Sequence, residues 1–259
     1  MHAFEYSAPA SVNDVVAALA NEDAKVLAGG QTLLPTMKQR LAAPPTLVDV
    51  SKLPGFDKIE RVGDSLEIGA GATHAHVAKS KVVHDAIPAL ERLAGHIGDP
   101  AVRSRGTIGG SVANDDPAAD YPAAVLALGG TIVTDRREIK AADYFKGLFE
   151  TALGAGEMIL KVRFPVPTAA HYEKFVNPAS RYAIVGVFAA KTKEGLRVAV
   201  TGAGAGGVFR AKDIEAAGLA GIDKVTVSAA GLNSDIHADA EYRAHLIKVL
   251  AKRALTHLG

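Results

Sequence analysis

The chain has 259 residues, 48% of them hydrophobic and 22% charged, and a formal net charge of +1. That is the composition of one large or two modest globular domains, with no bulk field to draw nucleic acid or an anionic membrane. Cysteine is absent, which excludes disulfides, thiolate zinc sites, cysteine nucleophiles and cysteine-ligated iron–sulfur clusters from this chain.

In chain order, Phe4-Glu5-Tyr6 reads as a short strand. Ser11 or Asn13 can cap a helix running to about Asn21, because Val12, Val15, Val16 and Leu19 recur at helical spacing. Lys25 to Ala28 is a short strand. A helical turn from Thr36 to Leu41 is stopped by Pro44-Pro45, and Thr46 to Val50 alternates like a strand. Leu53-Pro54-Gly55 marks a sub-domain border. Ile59 to Val62 and Ser65 to Ala70 flank a Gly63-Asp64 turn and predict a hairpin. Thr73 caps a helix from His74 to Ser80, and Val82 to Ala94 is helical with a break at Pro88. Val125 to Leu128 ends a helix or strand, Thr131 to Thr134 is a strand, Asp143 to Phe145 is short and helical or irregular, and Met158 to Phe164 is a strand. Two prolines place a boundary at Val166 to Ala170. Beyond it, Tyr172 to Phe175, Ala183 to Ala190 and Leu196 to Val200 predict an antiparallel meander. Ala240 to Leu258 is an amphipathic helix, with Tyr242, Leu246, Val249, Leu250 and Leu258 on one face and Arg243, Lys248, Lys252 and Arg253 mainly on the other. No run approaches the roughly 18 apolar residues of a membrane span. The opening MHAFEYSAPAS lacks the regions of an export signal, so a cytoplasmic location is expected.

Two glycine-bearing loops stand out, Ala28-Gly29-Gly30-Gln31-Thr32 and Thr107-Ile108-Gly109-Gly110-Ser111. Adjacent glycines allow positive φ and close approach of the backbone to a ligand. Successive N–H groups then form a nest for phosphate oxygens. One such loop is an ordinary turn; two predict a clamp on a diphosphate from both sides. Gly202 to Gly207 mimics a dinucleotide fingerprint, but no helix of a βαβ unit follows, so it reads as a tight turn between strands. His74 and His76 are two positions apart and cannot share one helical side, so no metal site is expected there. Arg103 and Arg105 precede the second loop and can approach phosphates, a partner subunit or solvent. No nucleophile elbow is present, and no catalytic residue is assigned.

With these pieces in place, the sequence resembles the medium, FAD-binding subunit of the molybdenum hydroxylases, the group of aerobic carbon monoxide dehydrogenase and xanthine dehydrogenase. The resemblance lies in LAGGQTLLPTMKQRL (27–41), IGAGATHAHVA (68–78), IGDPAVRSRGTIGGSVANDDPAADYP (97–122), YEKFVNPASRYAIVGVF (172–188), GAGAGGVFRA (202–211) and AEYRAHLIKVLAKRAL (240–255). It implies an α+β fold: a vanillyl-alcohol-oxidase (PCMH)-type FAD-binding domain over 1–167, with sub-domains of about 1–54 and 55–167. A C-terminal domain over 168–259, with a three-stranded antiparallel sheet and helices, follows. FAD is the implied cofactor. Molybdopterin and two [2Fe–2S] clusters are expected only on a large and a small partner subunit, in a dimer of heterotrimers. Electrons would pass from the clusters through FAD to an external acceptor. A self-contained flavin oxidoreductase of the same fold is the alternative, although the region after Ala170 is short for a substrate domain.

The resemblance also carries residues over. Val26, Leu27, Ala28, Gly29, Gly30, Gln31, Thr32 and Leu33 match the first FAD loop; Thr107, Ile108, Gly109, Gly110 and Ser111 match the second. Ile97 and Gly98 match flavin contacts. Asp120 matches an FAD-contacting aspartate. A carboxylate is repelled by a diphosphate, so a ribityl or ribose hydroxyl is its expected partner; a helix N-cap before Pro122 is the competing role. Leu160 matches an apolar flavin contact or is plain core. Lys174 matches a lysine near the isoalloxazine or is a surface strand lysine. Tyr182 matches an aromatic against that ring or is a core tyrosine. The chain departs from the family at Asn177-Pro178-Ala179-Ser180-Arg181, where members carry basic residues after the Lys-Phe pair and an acidic residue before the tyrosine.

Overall fold

The computed structural model describes residues 1–21 and 23–259. The chain begins with a three-stranded parallel sheet, order β1-β3-β2, made of β1 (Glu5–Ser7), β2 (Ala24–Leu27) and β3 (Thr46–Asp49). Helix α1 (Val12–Ala18) and helix α2 (Leu33–Lys38) make the crossovers, α1 capped by the Ser11 side chain accepting from the Asp14 N–H. Parallel strands need such crossovers. They also leave the C-terminal end of β2 open, and there the first glycine loop begins.

The middle of the chain forms a five-stranded antiparallel sheet, order β4-β5-β10-β6-β7. Its hairpin of β4 (Ile59–Val62) and β5 (Ser65–Gly69) turns at Gly63, φ +58°. Between β5 and β6 lie six short helices: α3 (His74–Lys79), α4 (Lys81–Ala86), α5 (Pro88–Gly95), α6 (Pro100–Arg103), α7 (Ile108–Asn114) and α8 (Tyr121–Ala127). The helical run expected over 82–94 breaks at Ile87, as Pro88 dictates, because a residue before proline is driven out of the helical region. Strands β6 (Thr131–Thr134) and β7 (Glu138–Lys140), helix α9 (Ala141–Tyr144), a small hairpin of β8 (Phe145–Gly147) and β9 (Glu150–Thr151), and central strand β10 (Ile159–Pro165) complete this part.

The remainder is an antiparallel meander of β11 (Ala169–Val176), β12 (Ala183–Thr192) and β13 (Gly195–Thr201). A two-residue fourth strand, β14 (Phe209–Arg210), extends the expected three. Gly202 to Gly207 is the turn between β13 and β14, with positive φ at Gly202 and Gly207. A helical segment, α10 (Lys212–Gly221), broken at Gly218, and helix α11 (Ala240–Thr256) follow.

Strand β12 is buried on both faces, so it reads as a continuous apolar run rather than an alternation. Its Phe188 and Ala190 join the large core with Leu66, Ile68, Val162, Phe164 and Tyr172. Val185, Val187 and Ala189 face Ile247, Leu250 and Ala254 of α11 in a second core. One sheet thus welds the C-terminal helices to the rest of the molecule.

Two expectations for α11 are corrected. Tyr242 is exposed, and Arg243, expected on the polar face, is only 3% exposed. Its Nη1 donates to the carbonyls of Ile184 (2.6 Å) and Gly202 (2.9 Å), and its Nη2 to Asp235 Oδ2 (2.7 Å). Those carbonyls stand where β12 and β13 stop pairing, and a buried carbonyl must find a donor. No helix among the described residues is long and apolar enough to cross a membrane.

Candidate functional site

A cleft of about 790 Å³ opens between the end of β2, the first turns of α2 and α7, and the loop before β12. Its volume lies in the range of cofactor sites. Residues 26–33 line it throughout, joined by Ile97, Gly98, Thr107, Gly109, Gly110, Ser111, Asp120 and Tyr182. Three predicted residues do not line it. Ile108 is fully buried in the core, Leu160 packs on that core from the next position to the cleft-lining Ile159, and Lys174 lies behind Asp120.

The first loop has the form a phosphate nest requires. Gly30 has φ +69°, which glycine adopts without cost. The N–H groups of Gly29, Gly30, Gln31, Thr32 and Leu33 meet no protein acceptor among the described residues, and Thr32 holds the N-cap position of α2 without using its hydroxyl there. The loop also sits directly on the second segment. A Cβ on Gly29 would lie 2.0 Å from the Arg105 carbonyl oxygen and 2.8 Å from Gly106 Cα.

The second segment is not a second nest. Thr107 caps α7, and Gly109 and Gly110 lie in its first turn without positive φ. Its N–H groups are taken: Ile108 by the Ala72 carbonyl, Gly109 by the Ala70 carbonyl, Gly110 by Thr107 Oγ1 and Ser111 by the Thr107 carbonyl. What it offers the cleft is the hydroxyls of Thr107 and Ser111 and a wall without side chains. The two glycines have different reasons to be there. A Cβ on Gly109 would meet Ala70 Cβ at 2.5 Å and its carbonyl oxygen at 2.7 Å, whereas one on Gly110 would meet only Thr107 Oγ1, at 3.0 Å. Gly109→Ala is therefore expected to lower the melting temperature. Gly110→Val should leave folding nearly intact and project into the cleft, weakening ligand binding at least 10-fold, about 1.4 kcal/mol. Melting curves and ligand titration on the two variants check this split.

A third wall, residues 154–159, also lines the cleft and is not among the residues expected from the sequence. Gly156 has φ +64°, and a Cβ there would lie 2.6 Å from the Leu19 carbonyl oxygen. Glu157 fixes the turn: its carboxylate accepts from the Gly154 N–H (2.7 Å), from Thr134 (2.8 Å) and from two nitrogens of Arg137. The Arg137 hydrogen bond leads in holding its carboxyl down at about 2. The signal in the sequence was Gly154-Ala155-Gly156, glycines on either side of one residue just ahead of a strand. Arg103 is half-buried and engaged within the protein rather than left to solvent. Its Nη1 donates to the carbonyls of Ile97 (3.0 Å) and Gly98 (2.9 Å) and so sets the 97–98 turn.

At the far end, Asp120 is buried and does not cap α8. Its carboxylate accepts from Tyr172 Oη and from Lys174 Nζ, both on β11, with Lys174 at 2.9–3.0 Å. Burial raises the Asp120 carboxyl, and Lys174 pulls against that shift. Lys174 is thus neither a surface lysine nor a lining residue. Tyr182 is 45% exposed, which rules out a core role, and burial of its hydroxyl raises its pKa. Beside it, the unusual segment forms a tight loop. Asn177 Oδ1 accepts from the N–H groups of Ala179 and Ser180, and Arg181 takes φ +66° and lines the cleft. His74 lines the cleft as a neutral imidazole, its pKa pushed down to about 4 by burial and then by the charge of Arg103.

Asp115, the left-handed C-cap of α7 at φ +44°, is 2% exposed, and both carboxylate oxygens lack a partner. Burial first, then Asp116, pushes its carboxyl up to about 7. A folded pKa above the ordinary carboxyl value of 3.8 means that stability is fully present below 3.8 and is lost as pH rises toward 7. Asp115→Asn is expected to gain more in melting temperature at pH 8 than at pH 4. An equal gain at both would show that the carboxyl ionises freely.

Against this geometry, the model of the FAD binding domain in molybdopterin dehydrogenase matches residues 2–167. The chain belongs to that family. The medium subunit of nicotine 6-hydroxylase from Paenarthrobacter nicotinovorans is 36% identical, over 99% of this chain and 98% of that one. The structure of carbon monoxide dehydrogenase from Hydrogenophaga pseudoflava superposes with a TM-score of 0.91 at 33% identity, covering 99% of this chain and 97% of that one. Quinoline 2-oxidoreductase from Pseudomonas putida 86 also superposes at 0.91, with 30% identity over 99% and 97%. The chain is an FAD-binding subunit of the molybdenum hydroxylase family, and FAD is its cofactor. The residues present suit that molecule. Unpaired N–H groups in the first loop match an anionic diphosphate, and Gly29 admits the loop where no Cβ would fit.

Proposed function

We propose that this chain is the electron-transfer subunit of a heteromeric molybdenum hydroxylase, receiving electrons from the [2Fe–2S] clusters of a small subunit and passing them through FAD to an external acceptor. Molybdopterin and substrate oxidation belong to a large subunit, and the assembly is a dimer of heterotrimers. The observation that carries this reading is the combination of a cofactor cleft with no cysteine in the chain. Cluster relay requires thiolates, so the relay lies outside these 259 residues. The domain division at about residue 167 goes with it, the cleft being walled mainly by the part before it.

When bound, FAD supplies the exchange between one-electron and two-electron carriers; the chain supplies position and environment. The N–H groups of Gly29 to Leu33 hold the diphosphate, with the hydroxyls of Thr107 and Ser111 opposite. Asp120, held by Tyr172 and Lys174, accepts from a sugar hydroxyl. Ile97 and Gly98, pinned by Arg103, and Tyr182 flank the ring. Met158 and Ile159 present apolar surface that excludes water.

The test is purification of the tagged full chain from cells that also express its partners. A complex containing molybdenum, iron and one FAD per chain is expected. A flavoprotein that purifies alone, and whose flavin is reduced by substrate without any partner, would overturn the reading in favour of a self-contained oxidoreductase.

A further inference from the structure

On the face of β11 turned away from Asp120 lies a group that the flavin site does not use. Residues two apart on a strand share a face, so His171 and Glu173 stand together while Tyr172 and Lys174 point to the other side. His171 Nε2 lies 2.8 Å from Glu173 Oε1. The His257 ring, just past the end of α11, stacks on His171 with centroids 4.1 Å apart and planes 8° from parallel. One ligand atom from each of the three residues lies within 4.8 Å of the others. Arg92 Nη2 lies 3.7 Å from Glu173 Oε1 and sets a cation against the group.

We propose that His171, Glu173 and His257 form a binding site for a divalent ion of the zinc class, which staples the end of α11 to the first strand of the C-terminal sheet. Two imidazoles and a carboxylate with an open position for water are a donor set that zinc takes. His257 is prepared for this role. Its Nδ1 lies 2.9 Å from the Arg253 carbonyl, and a carbonyl only accepts, so Nδ1 bears a proton and the neutral ring offers its lone pair at Nε2. A hydrogen bond from the far ring nitrogen to a carbonyl is the usual support of a metal-bound histidine. His171 takes the ion at Nε2 by moving its ring proton to Nδ1, with no net proton released.

Bonds of about 2.0–2.1 Å in a tetrahedron place ligand atoms about 3.4 Å apart. The widest pair, up to 4.8 Å apart, must therefore close by as much as about 1.4 Å, His171 and Glu173 must open slightly from 2.8 Å, and the rings must turn out of parallel. The exposure of His257 permits that motion. Arg92, half exposed, can swing into water as Glu173 turns to the ion.

The experiment is calorimetric titration of ZnCl2 into the chelator-treated, FAD-loaded full chain, with melting curves alongside. One saturable site per chain and a raised melting temperature are expected. His257→Ala and Glu173→Gln should each weaken that site at least 10-fold, the loss that even an outer-shell partner causes, with flavin content unchanged. His257 is exposed and Glu173→Gln keeps the side-chain shape, so each variant alone can decide. No saturable site in the wild type, or wild-type affinity in a folded variant, would leave only a polar contact between β11 and α11 and overturn the proposal.

Discussion

Gly29→Ala is expected to purify folded but without flavin. Gly29 does not need a positive φ, so alanine is acceptable to its backbone; the obstacle lies outside it. The added Cβ would fall 2.0 Å from the Arg105 carbonyl oxygen, 2.6 Å from its carbon and 2.8 Å from Gly106 Cα. None of these is the end of a flexible side chain, so one of the two segments must move. Forced overpacking costs about 1–3 kcal/mol, and the cheaper response is for the exposed loop to lift. Lifting turns the N–H groups of Gly29 to Leu33 off the diphosphate, at about 1.5–3 kcal/mol for each lost bond to a charged group. Two lost bonds correspond to roughly 100- to 10,000-fold in affinity. Flavin absorbance per protein after gel filtration measures this directly. Gly206→Ala, in the other glycine-rich turn, is the control, because nothing lies within 4 Å of its Cβ; it should keep its FAD. Stoichiometric flavin in Gly29→Ala would mean that the first loop does not hold the cofactor.

The contrast between the two glycine pairs also shows where sequence is informative. Gly29-Gly30 follows a strand and behaves as its composition suggests, with one positive φ and a run of free donors. Thr107 to Ser111 has nearly the same composition, yet it is a helical first turn. Glycine permits either conformation, and the choice is made by Ala70 and Ala72, whose carbonyls capture the N–H groups of Gly109 and Ile108. That contact is long-range and has no local signature. The same holds for Arg243, whose helical position suggests solvent but whose guanidinium is claimed by carbonyls of β12 and β13. Conversely, the break at Pro88, the Ser11 and Thr73 caps and the meander of β11 to β13 follow from local rules and were legible. The third wall, 154–159, lay between: its glycines were visible, but their meaning depended on Leu19 and Arg137, distant in sequence.

Asp120→Ala should cost about 3–5 kcal/mol of stability, the penalty for stranding a buried charge, because Lys174 would keep only the His96 carbonyl at 3.2 Å while its side chain is 4% exposed. The loss spreads because residues 117–120 are a joint. Thr201 Oγ1 donates to the carbonyls of Pro117 and Ala119, and the Gly202 N–H donates to Pro117. Loosening the ion pair therefore loosens the C-terminal sheet from the cleft. Loss of flavin in this variant would then be ambiguous between a missing contact and a destabilised chain. Removing both charges separates the two. Asp120→Asn with Lys174→Met strands neither partner, and replacing a buried pair with neutral groups of similar size is often close to neutral. The double variant should unfold in urea near the wild-type midpoint. If Asp120 also accepts from an FAD hydroxyl, the stable double variant should still bind FAD roughly 5- to 10-fold more weakly. The amide oxygen of Asn still accepts, but a bond to a charged group, about 1.5–3 kcal/mol, becomes a neutral one of about 0.5–1.5 kcal/mol. Wild-type affinity in the double variant would reduce Asp120 to a fastener between β11 and the cleft. Wild-type stability in Asp120→Ala would show that the pair carries no structural load.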